Sequence, residues 1–358
     1  MKKLLSALLV VAMLLMGAAA FAEDTFEIAL VTDVGNIDDQ SFNQSAWEGV
    51  VEFAEANGYT KAYYRPSEDS TTARMESIKT AVEKGAKVIV CPGYLFEEAI
   101  YNVQDEYPEV NFLLLDGEPH NADYSDYKTG SNVHNILYQE EQAGYLAGYA
   151  AVKDGYTKLG FLGGMAVPAV IRYGYGFVQG ADAAAAELNK DIEIKYTYGG
   201  QFQGSPEITA KMEGWYQNGT EIVFASGGGI YTSALDAAKK TDGAKLIGVD
   251  VDQSYIDPAY FVTSAMKQLK NVTMTVLDAL NSGSWETYGG KVTNFGLQEG
   301  EYVGLPTADS SWNFNTFTKD EYNTVLEGIR SGKIAVDNNS DSTVTPTVSA
   351  HTSVDYIG

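Results

Sequence analysis

Cysteine and histidine are almost missing from this chain: 358 residues contain one cysteine, Cys91, and three histidines, His120, His134 and His351. A lone cysteine excludes an intrachain disulfide and any zinc or iron–sulfur site built from cysteines. The three histidines are too scattered to suggest a metal or catalytic cluster. Positive charge is scarce too, with 24 Lys and Arg against 48 Asp and Glu and a net charge of −24. That balance argues against non-specific binding to nucleic acid or anionic membranes, which needs basic side chains to neutralise phosphate. There is no proline-rich linker, fixed-period repeat or block of like charge. What the chain does have is a globular composition, 45% hydrophobic and 20% charged, and enough length for two domains at about 150 residues each.

The first 22 residues form an address. Lys2 and Lys3 precede an apolar run from Leu4 to Met16, and small residues lead to Ala20-Phe21-Ala22 before the acidic Glu23. A charged start, a short apolar stretch and an A-x-A site make a secretory signal peptide. The apolar run falls short of the roughly 20 residues that span a bilayer, and no later run is long enough either. Export from the cytoplasm is the expectation, to the periplasm or the outer cell surface.

Beyond residue 22, short apolar runs alternate with amphipathic segments. Strands are expected at 26–31, 61–64, 87–91, 111–115, 158–162, 193–196, 221–225, 245–249 and 260–264. These runs are nearly continuously apolar, as parallel strands buried on both faces require. Helical spacing relates Trp47, Val50, Val51 and Ala54, and again Ala143, Leu146, Ala147 and Ala150. Further periods run through Val170, Gly174, Phe177, Ala181 and Leu188, and through Val272, Val276 and Leu280. This alternation implies βαβ units and an α/β fold with parallel sheets. The expected division is a first lobe over 23–137, completed by part of 265–305, and a second over 138–264, completed by part of 300–340. The tail 341–358 shows no clear period.

In open parallel sheets, ligands bind beyond the carboxyl ends of the strands. After the first strand comes Thr32-Asp33-Val34-Gly35-Asn36-Ile37-Asp38-Asp39-Gln40-Ser41-Phe42-Asn43-Gln44, in which Ser41-x-x-Gln44 matches a capping box that would start the next helix. Asp116-Gly117-Glu118 follows the fourth strand. Later strands end in Gly163-Gly164-Met165, Gly199-Gly200-Gln201-Phe202, Ser226-Gly227-Gly228-Gly229 and Asp250-Val251-Asp252-Gln253. Carboxylates, rings and glycines at strand ends suit a neutral polyhydroxylated or heteroaromatic ligand: carboxylates accept hydroxyl and N–H donors, rings stack, and glycines admit close backbone approach. Each feature alone has a plainer use. An Asp can cap a helix or brace a hinge, a Phe can fill a satellite core, and Lys267 can be a solvated cation or a contact to ligand oxygens. Asp38 and Asp39 read as exposed carboxylates favoured by the helix dipole. Phosphate motifs are absent, since Ser226–Gly229 lacks the lysine and spacing of a P-loop and no G-x-G-x-x-G follows the first strand.

The stretch Ala29-Leu30-Val31-Thr32-Asp33-Val34-Gly35-x-Ile37-Asp38-Asp39-x-Ser41-Phe42-Asn43-Gln44-x-x-Trp47-Glu48-Gly49 resembles the opening signature of the basic membrane protein family, solute-binding proteins of ABC transporters. Gly144-Tyr145-Leu146-Ala147-Gly148, Gly163-Gly164-Met165 with Pro168, Gly176-Phe177-x-x-Gly180, Ile247-Gly248-Val249-Asp250-x-Asp252-Gln253 and Val262-Thr263-Ser264-x-x-Lys267 extend the resemblance over most of the chain. It implies a type I periplasmic-binding-protein fold, two parallel-sheet lobes joined by a hinge and closing on a ligand. It further implies a purine nucleoside (guanosine, inosine or adenosine) whose base lies between Phe42 and Phe202, with Asp33 and Asp116 on the base. Gly228, Asp250 and Lys267 would then hold the ribose, with Asn43 a further contact; Asp252 competes with Asp250 for this role. ABC permease subunits are the implied partners. No cofactor, metal, catalytic residue or nucleic acid is expected, and the protein should be a monomer.

Two departures stand out. No cysteine follows the apolar leader, so the lipid anchor many members carry is not expected. The Phe202 turn reads Gly-Gly-Gln-Phe-Gln-Gly, where relatives usually carry an acidic residue or serine nearby, so ligand choice could differ. The same fold could hold a sugar or a small signalling molecule, or serve a signalling partner instead of transport. Asp33 to Asp39 also resembles the Asp-Pro-Gly-x-Asp-Asp calcium loop of nucleoside hydrolases, but the Asp pair is one residue further on and the proline is missing, which argues against hydrolysis.

Overall fold

A computed structural model describes residues 27–357. The expected signal peptide, and the start of the first expected strand at Phe26, lie outside the described residues. Among the described residues, no helix is long and apolar enough to cross a membrane.

Two sheets form. The first has the order β2-β1-β3-β4-β5-β11 and contains Ile28–Val31 (β1), Lys61–Tyr64 (β2), Val88–Pro92 (β3), Asn111–Leu115 (β4), Val133–Tyr138 (β5) and Lys291–Phe295 (β11), all parallel. The second has the order β13-β7-β6-β8-β9-β10-β12. Its strands are Lys158–Gly163 (β6), Ile192–Tyr198 (β7), Ile222–Ser226 (β8), Lys245–Asp250 (β9), Phe261–Lys267 (β10), Val303–Gly304 (β12) and Thr352–Tyr356 (β13). Among the described strands, only β12 is antiparallel to its neighbour. Every strand expected from an apolar run is present within a residue or a few at its ends.

The four additional strands lack such a run for identifiable reasons. In β5, His134 and Asn135 interrupt the pattern although both are buried; the first is bonded to Lys291 O at 3.0 Å and the second donates to Thr129 Oγ1 at 2.8 Å. β11 and β13 are edge strands with largely exposed side chains, and β12 has only two residues. β13 falls in the tail whose pattern predicts nothing.

Helices Phe42–Asn57 (α1), Thr71–Glu83 (α2) and Glu97–Val103 (α3) accompany the first sheet. Glu140–Lys153 (α4) then carries the chain across to the second sheet, where Pro168–Leu188 (α5), Pro206–Gln217 (α6) and Tyr231–Ala238 (α7) follow. After β10 the chain returns through Leu269–Asn281 (α8), which packs on α1, to β11, and crosses a third time to β12 and Lys319–Arg330 (α9). One buried apolar cluster spans both lobes, from Leu30, Leu113 and Ile136 through Leu146 and Ala150 of α4 to Phe161, Phe177 and Phe224.

The crossing helix is held at backbone distance. A Cβ at Gly144 or Gly148 of α4 would overlap the carbonyl oxygens of Tyr173 and Phe177 in α5, and one at Gly176 or Gly180 of α5 would overlap those of Glu141 and Tyr145. Four glycines, paired four residues apart on each helix, therefore let α4 lie directly on α5. Gly148→Ala is expected to destabilise the protein by about 1–3 kcal/mol, the usual cost of overpacking a filled interface, whereas an alanine at Gly214, which has open space around it, should cost nothing measurable. Paired urea denaturation curves of the two variants test this.

Candidate ligand cleft between the lobes

The carboxyl ends of β1, β3 and β4 face those of β8, β9 and β10 across a cleft. All eight residues singled out from sequence line it: Asp33, Phe42, Asn43 and Asp116 from the first lobe, and Phe202, Gly228, Asp250 and Lys267 from the second. Asp33 leaves the end of β1, where its Oδ1 accepts from Gly35 N at 2.6 Å and Asn43 Nδ2 at 2.9 Å. Asp116 directly follows β4 and Asp250 is the last residue of β9, and both adopt a left-handed backbone, with φ of 61° and 65°. Non-glycine residues held there carry strain that the surrounding structure must offset, a condition concentrated at functional sites.

The two rings come from opposite lobes. Phe42 opens α1 and lies against Gly93, whose φ is 116°. Phe202 packs over Gly164 and Gly227 so closely that a Cβ at Gly164 would meet its ring at 2.6 Å. The glycine-rich turns after β6 and β8 thus serve as a bed for the Phe202 ring.

The start of α1 differs from the expected capping box. The Ser41 side chain makes no cap bond; its Oγ donates across the cleft to Asp250 Oδ2 at 2.6 Å. Asp39 performs the capping instead, accepting from Ser41 N at 2.9 Å, Asn43 N at 3.0 Å and Gln44 N at 3.1 Å. Asp39 is accordingly buried rather than exposed, while Asp38 is exposed as expected. A second bond between the lobes runs from Gln253 Nε2 to Gln40 O at 3.1 Å. Between the two candidates after β9, Asp250 faces the cleft, whereas Asp252 turns away to accept from Ser311 Oγ.

Lys267 is neither solvated nor free. It ends β10, 4% exposed, and its Nζ contacts Asp116 Oδ2, Glu140 Oε1 at 3.1 Å and, more distantly, Asp250 Oδ1 at 3.9 Å. The rings of Phe42, Tyr138 and Tyr173 surround it, the first at 4.8 Å. Burial opposes its charge, but the three carboxylates win and hold its pKa above the ordinary value. Burial pushes Asp33, Asp116 and Asp250 upward, and Lys267 only partly offsets this for the latter two. Glu140 moves the other way: burial raises it, yet Arg172 and Lys267 together bring it below its usual value. Asp116 Oδ1, Asn43 Oδ1, Ser226 Oγ and Tyr173 OH line the cleft without a hydrogen-bond partner among the described residues. The cleft therefore offers acceptors and hydroxyls suited to a ligand rich in donors, with two aromatic rings among its lining residues.

A model of the Bmp family, described as ABC transporter substrate-binding protein PnrA-like, matches residues 26–339. The chain belongs to this family. The family's ABC transporter nucleoside-binding protein BmpA of Lactococcus lactis is 28% identical over 89% of this chain and 91% of its own. Basic membrane protein A1 of Borrelia garinii is 30% identical over 79% and 81%. An ABC transporter solute-binding protein of Aeropyrum pernix has the same fold, with a TM-score of 0.76 and 22% identity over 89% of this chain and 95% of that one.

Sequence reasoning missed part of this Bmp-family cleft. Tyr94 and Leu95, in the short turn after β3, line it; they follow a strand end and were open to the same rule that found the others. Val170 and Tyr173 reach it from α5, where helical spacing includes Val170 in a buried period and leaves Tyr173 unmarked. Glu140 and Arg172 carry no motif at all, and only the fold sets them behind Lys267.

Next to Glu140, Glu141 is 3% exposed, and its Oε2 has no hydrogen-bond partner among the described residues. Burial first, then the Glu140 charge, push it up to about 8. Between the unfolded value near 4.5 and the folded one, folding must take up a proton, so this carboxyl's contribution to stability declines as pH rises through that window. Glu141→Gln should raise the unfolding temperature relative to the parent at pH 8, with the gap closing toward pH 5. Melting curves at both pH values check the sign.

Proposed function

We infer that the cleft captures a purine nucleoside and that the protein, exported to the outside of the cytoplasmic membrane, hands it to ABC permease subunits. The observation that carries this reading is the pair of rings, Phe42 and Phe202, contributed by opposite lobes to one cleft whose walls are rich in acceptors. Phe42 and Phe202 stack on the two faces of the base. Asp33, Asn43 and Asp116 accept from its N–H groups, and Asp250, Lys267 and the Gly228 backbone meet the ribose. Lys267 touches both sets, so the base and ribose halves of the site share one cation.

The charge balance favours a nucleoside over a nucleotide. Among the described residues, the one buried cation lining the cleft is already shared by three carboxylates, leaving a phosphate monoester without a partner to offset its desolvation. Capture proceeds by closure, the ligand favouring the conformation in which both lobes contact it. The name of the Lactococcus relative, a nucleoside-binding protein, supports the ligand class.

Calorimetric titration of the chain from Glu23 onward, unfolded and refolded to strip carried ligand, tests the reading. Guanosine, inosine or adenosine should bind tightly, with ribose and guanosine monophosphate silent. Phe42→Ala should weaken purine binding by about 1–3 kcal/mol, the scale of base–aromatic stacking. Folded protein that gives no heat with any nucleoside would discard the ligand class, and an alanine variant within twofold of the parent would remove the sandwich.

A further inference from the structure

Lys267 is a buried ammonium on a flexible stem, and something outside the cleft must hold it in place. Its Nζ contacts Glu140 Oε1 at 3.1 Å on the side facing the crossing helix. Glu140 is the first residue of α4 and wholly buried, and its other oxygen, Oε2, accepts from Arg172 Nε of α5 at 2.7 Å. Arg172 does not line the cleft. The chain of contacts thus runs Arg172–Glu140–Lys267–Asp116, from the interface of α4 and α5, past the first lobe crossing, to a cleft carboxylate. The crossings after β5 and β10 meet in it, because Glu140 follows β5 and Lys267 ends β10.

We propose that Arg172 is a positioning residue for ligand binding: by clamping one oxygen of Glu140 it keeps the other on Lys267, and so fixes where the ammonium stands between Asp116 and Asp250. Removing the guanidinium leaves a buried carboxylate with one cation in place of two. Such a group turns fully onto its remaining cation or takes up a proton, since an uncompensated buried charge is costly. Either response changes the surroundings of the Lys267 ammonium. The contact geometry also predicts which replacement is tolerated. Glu140 uses a single N–H of Arg172, with Glu141 Oε2 more distant at 4.0 Å, so a lysine can supply the same charge and one donor.

This inference rests on the nucleoside reading for its effect on affinity, but the clamp itself can be observed without ligand. Two measurements on the folded protein separate the two. In the first, protein with lysine labelled at Cε and Nζ is compared by NMR, the Lys267 resonance being assigned with Lys267→Arg. Arg172→Met should move that resonance and Arg172→Lys should largely restore it. In the second, guanosine affinity is measured for Arg172→Met, Glu140→Gln and the double variant, with melting curves to verify folding. Arg172→Met should weaken binding about tenfold, within the range of coupling between residues of one network, and the double variant should bind no more weakly than Glu140→Gln alone.

A Lys267 resonance unmoved by Arg172→Met overturns the clamp whatever the ligand. Equal losses from Arg172→Met in both backgrounds overturn the positioning role, because lost packing alone is additive. A shifted resonance in folded protein that ignores every nucleoside supports the clamp and discards the ligand class instead.

Discussion

The buried ammonium of Lys267 is the point on which this molecule turns. It stands where the second lobe crossing begins and touches Asp116 of the first lobe, Asp250 of the second and Glu140 of the crossing helix. Burying so many charges contributes little net stability, because desolvation consumes most of the Coulombic gain. What the cluster supplies is position. Removing one member strands the others, so the two lobes have a strong preference for the arrangement in which these groups meet.

That preference needs a stiff frame. The glycines at 144, 148, 176 and 180 let α4 and α5 touch through their backbones, which binds the crossing helix to the second lobe and brings Arg172 alongside Glu140. Packing and electrostatics are therefore connected: the close approach of the helices sets the clamp, and the clamp sets the lysine. The cross-lobe bonds from Ser41 to Asp250 and from Gln253 to Gln40 lie at the cleft, beside the Lys267–Asp116 contact.

Much of the fold was legible in sequence because buried parallel strands are written as unbroken apolar runs. The signal failed where burial and apolarity part company. His134 and Asn135 are buried in β5 because hydrogen bonds satisfy them, and edge strands such as β11 and β13 bury little. The start of α1 shows the same limit. Ser41-x-x-Gln44 has the spacing of a capping box, yet nothing local reveals that Asp250, more than two hundred residues on, competes for the serine hydroxyl. Asp39 caps the helix in its place.

The sequence by itself determined the alternation of strands and helices, and with it the strand ends where Asp33, Phe42, Asp116, Phe202, Gly228, Asp250 and Lys267 had to lie, because side-chain patterning and turn chemistry act over a few residues. Only the tertiary structure decided which of Asp250 and Asp252 faces the cleft, that Lys267 is paired rather than solvated, and that Glu140 and Arg172 stand behind it. Those outcomes depend on contacts between residues scores to hundreds of positions apart and on the loss of water around them, neither of which leaves a local pattern in the chain.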